Sequence, residues 1–223
     1  LEHLDAVSRT FVPGADSRLR EHYPDIADAP LTRGEFMEDW QVPLMAAMTE
    51  AAAAGKGDVL EIGFGRGVSA EMLQQAGVRS HTIVEPNPHS IKTYYEPWRT
   101  GYPDRDIRLI EGRWQEVLDQ LELYDAVFFH PFPLNEQEYI EQVVKSITYA
   151  EHAMPGMAAC LRPGGVFTYL SAEIDTLSRR HQRLLFSHFA SLSLSRVQLK
   201  IPPDTRDTWW CDSMVVVKAE KAR

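Results

Sequence analysis

The chain has 223 residues, 44% hydrophobic and 25% charged, which suits one α/β domain with its own core. A formal net charge of −9 with no basic run argues against nucleic acid as substrate or partner. No apolar run approaches the ~20 residues of a membrane span, and Leu1 to Leu31 is mixed and charged without a secretory pattern, so no membrane partner and a cytoplasmic location are expected.

Residues 1–34 carry the loop formers Pro13, Gly14, Pro24, Pro30 and Gly34, and read as an irregular arm that covers the site. The domain proper is placed at 35–223. Phe36 to Ala54 has helical spacing in Phe36, Trp40, Leu44, Met48 and Ala51, with a break or kink expected at Pro43. From Asp58 onward strands and helices alternate. Val59–Ile62 is a strand, Val68–Ala76 a helix, His81–Glu85 a strand and Ile91–Trp98 a helix. Ile107–Ile110 is a third strand, Trp114–Leu121 a short helix and Tyr124–Phe129 a strand apolar enough for the centre of a parallel sheet. Glu136–Leu161 reads as one long helix, kinked at Pro155, followed by a strand at Gly165–Leu170 and a helix at Thr176–Leu192. Leu194–Ile201 and Met214–Ala219 close the chain as two strands without a crossover helix, so they pair antiparallel. The alternation predicts a doubly wound α/β seven-stranded sheet, six strands parallel and one antiparallel.

The sharpest motif is Glu61-Ile62-Gly63-Phe64-Gly65-Arg66-Gly67, directly after an apolar strand. Glycines allow a tight turn and a close backbone approach to a ligand, and the helix that follows offers free N–H groups to an anion. A dinucleotide fingerprint requires a third glycine where Val68 stands, and no Lys-Ser/Thr pair follows for a P-loop. The loop therefore points to S-adenosylmethionine, whose methionine carboxylate is the anion. An NAD(P)-dependent oxidoreductase is the competing reading, and a catalytically silent binding protein a third.

Glu85 ends the second strand, 20 residues after Gly65, where a carboxylate takes ribose hydroxyls, and Pro86-Asn87 turn the chain beside it. Gly112-Arg113-Trp114 follows the third strand, with Trp114 either against the adenine or a core anchor. Leu161-Arg162-Pro163-Gly164-Gly165 reads as a helix stop and strand entry. Cys160 and Cys211 have no metal-ligand spacing, so no metal is expected and both read as reduced thiols.

These motifs, with Met37 to Met45, Phe132-Pro133-Leu134 and Pro202-Pro203, resemble guanidinoacetate methyltransferase from Met37 to the C-terminus. The resemblance implies a class I methyltransferase fold with S-adenosylmethionine as cofactor and S-adenosylhomocysteine (SAH) as product. It implies that Met37 and Met45 line the cofactor, and that Glu61, Gly63, Phe64, Gly65, Arg66, Gly67 and Val68 hold its methionine part. Glu85, Pro86 and Asn87 would take the ribose, and Arg113 and Trp114 would border the adenine. The family binds guanidinium with a Glu two before the entry-helix Pro and an Asp at the end of strand four. Here those positions hold Gln41 and His130, so both anions are gone.

The expected activity is therefore methyl transfer to nitrogen, or oxygen, of a small polar metabolite in specialised metabolism. A homodimer is an option for its assembly. His130 heads the His130-Pro131-Phe132-Pro133 segment, beyond the carboxyl end of strand four, where ligands sit in such sheets. Gln41, His130 and Phe132 are the candidate acceptor contacts. His130 is also the candidate catalytic base for an amine or hydroxyl.

Overall fold

The computed structural model describes residues 39–202 and 211–223. The expected arm at residues 1–34, the start of the entry helix including Met37, and Pro203 lie outside the described residues.

Asp39–Gln41 forms a 3₁₀ turn that leads into α1 (Val42–Ala53). Pro43 falls in the first turn of α1, where its missing N–H costs no helix bond, so it starts the helix and does not break it. The chain then runs through β1 (Asp58–Ile62), α2 (Val68–Ala76) and β2 (Ser80–Glu85). Segments Pro88–Ser90, Ile91–Tyr95 and Glu96–Arg99 run on as one helical stretch, α3, with a π turn in its middle. Next come β3 (Asp106–Glu111) and β4 (Tyr124–Phe129). The short helix expected at Trp114–Leu121 reduces to a 3₁₀ turn at Leu118–Gln120.

The long helix expected from Glu136 to Leu161 is broken into pieces. Glu136–Tyr139 begins α4, which continues as a π turn over Ile140–Val144. A 3₁₀ turn follows at Tyr149–His152, and α5 occupies Met154–Ala159. Thr148 is extended at φ −155°, and the Glu151 carboxylate accepts the Ile147 N–H at 2.9 Å. Thr148-x-x-Glu151 is thus a helix-start spacing inside what reads as an uninterrupted apolar pattern. Pro155 again lies in a first turn, that of α5. The remaining elements are β5 (Leu161–Leu170), α6 (Arg179–Phe186), β6 (Ser191–Gln198) and β7 (Ser213–Glu220).

The seven strands form one sheet in the order β3-β2-β1-β4-β5-β7-β6. Pairing is parallel from β3 through β5 and antiparallel on both sides of β7. The expected six parallel and one antiparallel strands hold in part. Among the described residues five strands pair in parallel, and β6 meets only β7, in an antiparallel hairpin.

Both faces of the sheet are covered. Val59, Ala126, Phe128 and Val216 join Trp40, Leu44, Met48 and Leu73 of the α1–α2 side. The alternate residues Leu60, Val127, Phe129, Val215 and Val217 join Met154, Met157 and Leu185 of α5 and α6. Successive strand side chains point to opposite faces, so near-continuous apolar strands are what a doubly covered sheet requires.

At the amino end of the sheet, Arg79 binds Asp58 through two nitrogens at 2.7 Å each, and Arg162 lies 3.0 Å from Asp58 and 3.1 Å from Asp125. These guanidinium bonds, that of Arg79 above all, hold the Asp58 carboxyl well below the usual carboxylate range. The cluster ties β1, β2, β4 and the entry to β5 together on the side away from the cleft.

Candidate active site

Strand register places the site. Ile62 pairs with Val84 of β2 and with Phe129 of β4. The residues that come next, Gly63, Glu85 and His130, therefore emerge side by side at the carboxyl edge. The backbone continues this order: Gly63 donates to Val84 O at 2.9 Å, and His130 donates to Ile62 O at 3.0 Å. A cleft of about 590 Å³ opens there, lined by the glycine turn, Glu85 to Asn87 and the His130 to Leu134 segment.

Gly63, Gly65 and Gly67 all have positive φ, at 91°, 55° and 80°. At Gly63 close approach also matters: a Cβ would lie 2.6 Å from the His130 carbonyl oxygen. The turn passes into α2 with Gly67 as its left-handed N-cap. Phe64 packs its ring into a cluster with Tyr95 and Trp98 and is also part of the cleft lining. Arg66 lines the cleft and lies 3.5 Å from Asp39 across its rim, while Val68 closes the helix side.

Glu85 is 5% exposed and fixes this turn. Its Oε2 accepts the N–H groups of Phe64 at 2.8 Å and Gly65 at 3.1 Å, and its Oε1 accepts from Asn87 at 2.9 Å. Burial pushes its carboxyl up from the ordinary value, and the three backbone donors oppose that shift. Asn87 caps α3 through its side-chain oxygen, bonded to His89 N at 2.9 Å, while its Nδ2 is buried and unpartnered. A buried amide donor without an acceptor is costly, so a polar ligand in this cleft gains by meeting it. That free donor and the glycine cradle fit the ribose and methionine parts of an S-adenosyl cofactor.

Glu61 does not line the cleft. It is fully buried, accepts from the Ser69 hydroxyl, and lies 2.9 Å from His81 Nε2. Arg105 Nε donates to Gln74 Oε1 at 2.9 Å, which turns the Gln74 amide nitrogen toward His81 Nδ1 at 3.1 Å. Nδ1 then acts as acceptor, which leaves the Nε2 proton facing Glu61. Ser69 lines the cleft, so Glu61 acts through it. Met45 is also fully buried, in the α1 cluster, and forms no part of the cleft wall.

A second recess adjoins the first and is lined by Arg113, Trp114, Gln115, Phe132, Leu134 and Tyr149, among others. Trp114 is a core anchor here, edge-on to Phe129 at 5.8 Å, with one side on the recess. Arg113 pairs with Glu138 at 3.0 Å. Phe132 is 48% exposed at the mouth of both recesses. Gln41 ends the turn before α1 and is half-buried.

His130 is half-buried on the cleft wall, and desolvation pushes its imidazole down to about 4. It is neutral at physiological pH and a weak base, which shifts its expected chemistry from proton abstraction toward acceptance of a hydrogen bond. Sequence reasoning missed Ser69, Gln115, Glu138 and Tyr149. Ser69 follows the glycine loop and Gln115 follows Gly112-Arg113-Trp114, whereas Glu138 and Tyr149 reach the site only through tertiary packing.

Residues 24–181 match the guanidinoacetate N-methyltransferase family. Protein arginine N-methyltransferase 2 of Kluyveromyces lactis is 28% identical over 131 residues, 54% of this chain and 31% of that protein. The protein of the same name from Eremothecium gossypii is 26% identical over 156 residues, 68% of this chain and 36% of that one. The chain thus spans about a third of the length of these relatives. Among solved structures, the N-methyltransferase NodS of Bradyrhizobium japonicum in complex with SAH superposes with a TM-score of 0.59 at 15% identity, over 93% of this chain and all of that one. An O-methyltransferase from Bacillus cereus in complex with SAH gives 0.54 at 18% identity, over 97% and 96%. With the fold, the glycine turn and the matched span together, the chain belongs to the guanidinoacetate N-methyltransferase family, a family of S-adenosylmethionine-dependent methyltransferases.

Proposed function

We propose that this protein transfers a methyl group from S-adenosylmethionine to an uncharged nitrogen of a small polar molecule. The observation that carries this reading is His130, a desolvated neutral imidazole at the carboxyl end of β4, in the cleft beside the glycine turn. A guanidinium there would meet the His130 imidazole in place of a carboxylate, and Gln41, which lines neither recess, supplies none either. A buried cation without an anion is strongly disfavoured.

Bound S-adenosylmethionine supplies the electrophilic methyl group and a cationic sulfonium. The Gly63–Gly67 turn, the α2 N-terminus and Ser69 would hold its methionine part. Asn87 Nδ2, with the outer face of the Glu85 carboxylate, would hold the ribose. Arg113 and Gln115 would border the base. His130 Nδ1 or Nε2 would accept a hydrogen bond from the acceptor N–H and aim the nitrogen lone pair, and Phe132 would cover the mouth. Positioning is the main catalytic device in an in-line displacement, and a neutral imidazole suits an acceptor that arrives neutral.

Methylation of an arginine side chain is the second reading, favoured by the arginine N-methyltransferases named above. Radiolabelled S-adenosylmethionine decides between the two, offered with a panel of neutral amines and heterocycles, guanidinoacetate and arginine peptides. Turnover confined to neutral nitrogen acceptors is expected. Efficient methylation of guanidinoacetate or arginine peptides by the wild type would overturn the proposal. Restoration of guanidinium turnover by Gln41→Glu with His130→Asp would support the role assigned to the two positions.

A further inference from the structure

We infer that Glu138 is a positioning residue that couples the cofactor side of the cleft to the acceptor side. Glu138 belongs to α4 and is 6% exposed. Its Oε2 accepts the Leu134 backbone N–H at 3.0 Å and meets Arg113 at 3.0 Å. Its Oε1 accepts from Gln115 Nε2 at 3.1 Å and from the Tyr149 hydroxyl at 3.1 Å. An ionised carboxylate has about four lone-pair sites, so this one is fully used and has nothing left for a ligand. What it does is join chain segments.

The segments differ in task. Arg113 and Gln115 follow β3 and line the second recess, where the proposed function puts the adenine. Leu134 ends the segment from His130 that carries the proposed acceptor contacts and lines both recesses. Asn135 Oδ1 accepts the Glu138 N–H at 2.9 Å, so α4 starts at the end of that segment and Glu138 cannot shift without it. Among the described residues no ladder bond of the sheet reaches 131–134, so this carboxylate is a polar anchor of the acceptor segment. A base bound against Arg113 and Gln115 immobilises two of the four donors. The carboxylate then holds Leu134 more firmly, and the acceptor segment sets once cofactor is in place. Charge-assisted bonds in a low-dielectric site are strong enough to carry such a coupling. This inference rests on the reading of the second recess as cofactor-side.

Hydrogen–deuterium exchange over peptides spanning 131–139 tests it, with SAH as the probe. In Glu138→Gln the shape is kept, but one oxygen becomes a donor facing two donors. Exchange without SAH should rise about tenfold in this segment and stay within about twofold in β1 and β2. Tyr149→Phe removes one of the four donors and should raise it about two- to threefold, which keeps the test open if Glu138→Gln folds poorly. SAH should slow exchange at 131–139 in the wild type and do so markedly less in Glu138→Gln, with a matching loss of SAH affinity by calorimetry, since coupling between two sites is reciprocal. Unchanged segment exchange in both variants would overturn the anchoring. Equal SAH protection in wild type and Glu138→Gln would overturn the coupling. Failure of SAH to bind the wild type would instead sink the functional reading and the coupling with it, while exchange without SAH would still decide the anchoring.

Discussion

The Glu85 carboxylate receives the backbone N–H of Phe64 at 2.8 Å, which makes the strand-end acid part of the glycine turn itself. The sequence assigns Glu85 to the ribose alone. In the structure it first shapes the loop that holds the other end of the cofactor. Its two oxygens take three backbone donors, which leaves about one acceptor site for a hydroxyl.

Glu85→Ala should therefore weaken SAH binding on two counts, by loss of a ligand contact and by release of the turn. Charged hydrogen bonds contribute ~1.5–3 kcal/mol, so a loss of roughly tenfold or more in affinity is expected. Calorimetry measures it, and unchanged affinity would remove Glu85 from the site.

Gly65→Val should abolish SAH binding in a folded protein. The backbone there has φ +55°, a left-handed conformation that disfavours side chains by ~1–2 kcal/mol and β-branched ones most of all. Circular dichroism checks the fold and calorimetry the affinity. A folded variant with wild-type affinity would show that the turn does not carry the cofactor.

His130 should titrate far below a solvated imidazole. Desolvation lowers it to about 4, so the unfolded chain binds the extra proton first, and stability contributed by the neutral ring is lost as pH falls from ~6.5 toward 4. An NMR titration of the histidine ring signals, assigned with His130→Ala, checks this. A midpoint near 6.5 would mean a solvated ring, and the neutral-acceptor argument would lose its footing.

His130→Ala should leave SAH affinity within a few-fold and lower kcat on the true acceptor by ~10²-fold, because the acceptor nitrogen loses its guide. Steady-state kinetics with a neutral amine substrate provide the measurement. Wild-type turnover in the variant would assign His130 a structural role.

Asp58→Asn should lower thermal stability at pH 7, and the deficit should vanish in acid. The folded carboxyl is depressed by Arg79 first, then Ser80 and Arg162, so its stabilising contribution is complete above the unfolded value of ~3.9 and fades as pH falls below it. Melting curves of both proteins should differ by ~3 °C or more at pH 7 and converge toward pH 2. A deficit that does not change with pH would point to packing, not charge.

The strands were legible because burial on both faces leaves runs such as Ala126-Val127-Phe128-Phe129, and the glycine turn because positive φ leaves few residue choices. The break after Val144 was not, since the apolar spacing carries on through Ile147 while Thr148 turns the chain. Its Thr148-x-x-Glu151 spacing was the available signal. Glu61 read as a ligand residue because its position follows the loop pattern, yet its partners Ser69 and His81 come from other elements and no local spacing names them. The same holds for Glu138, whose four donors are spread from Arg113 to Tyr149.

The place of β7 between β5 and β6 bears on how the chain is made. A ribosome delivers β6 before β7, yet among the described residues β6 has no other strand to pair with, and β5 leaves its outer edge open until β7 arrives. While residues 213–220 are still in the exit tunnel, two strands carry unpaired edges, the state in which nascent sheets associate with one another. Val215 to Val217 fill the sheet from inside the moment they emerge. The later-made strand of the hairpin is thus the one that joins it to the sheet, and the exposed interval is set by the time taken to translate from Gln198 to Glu220.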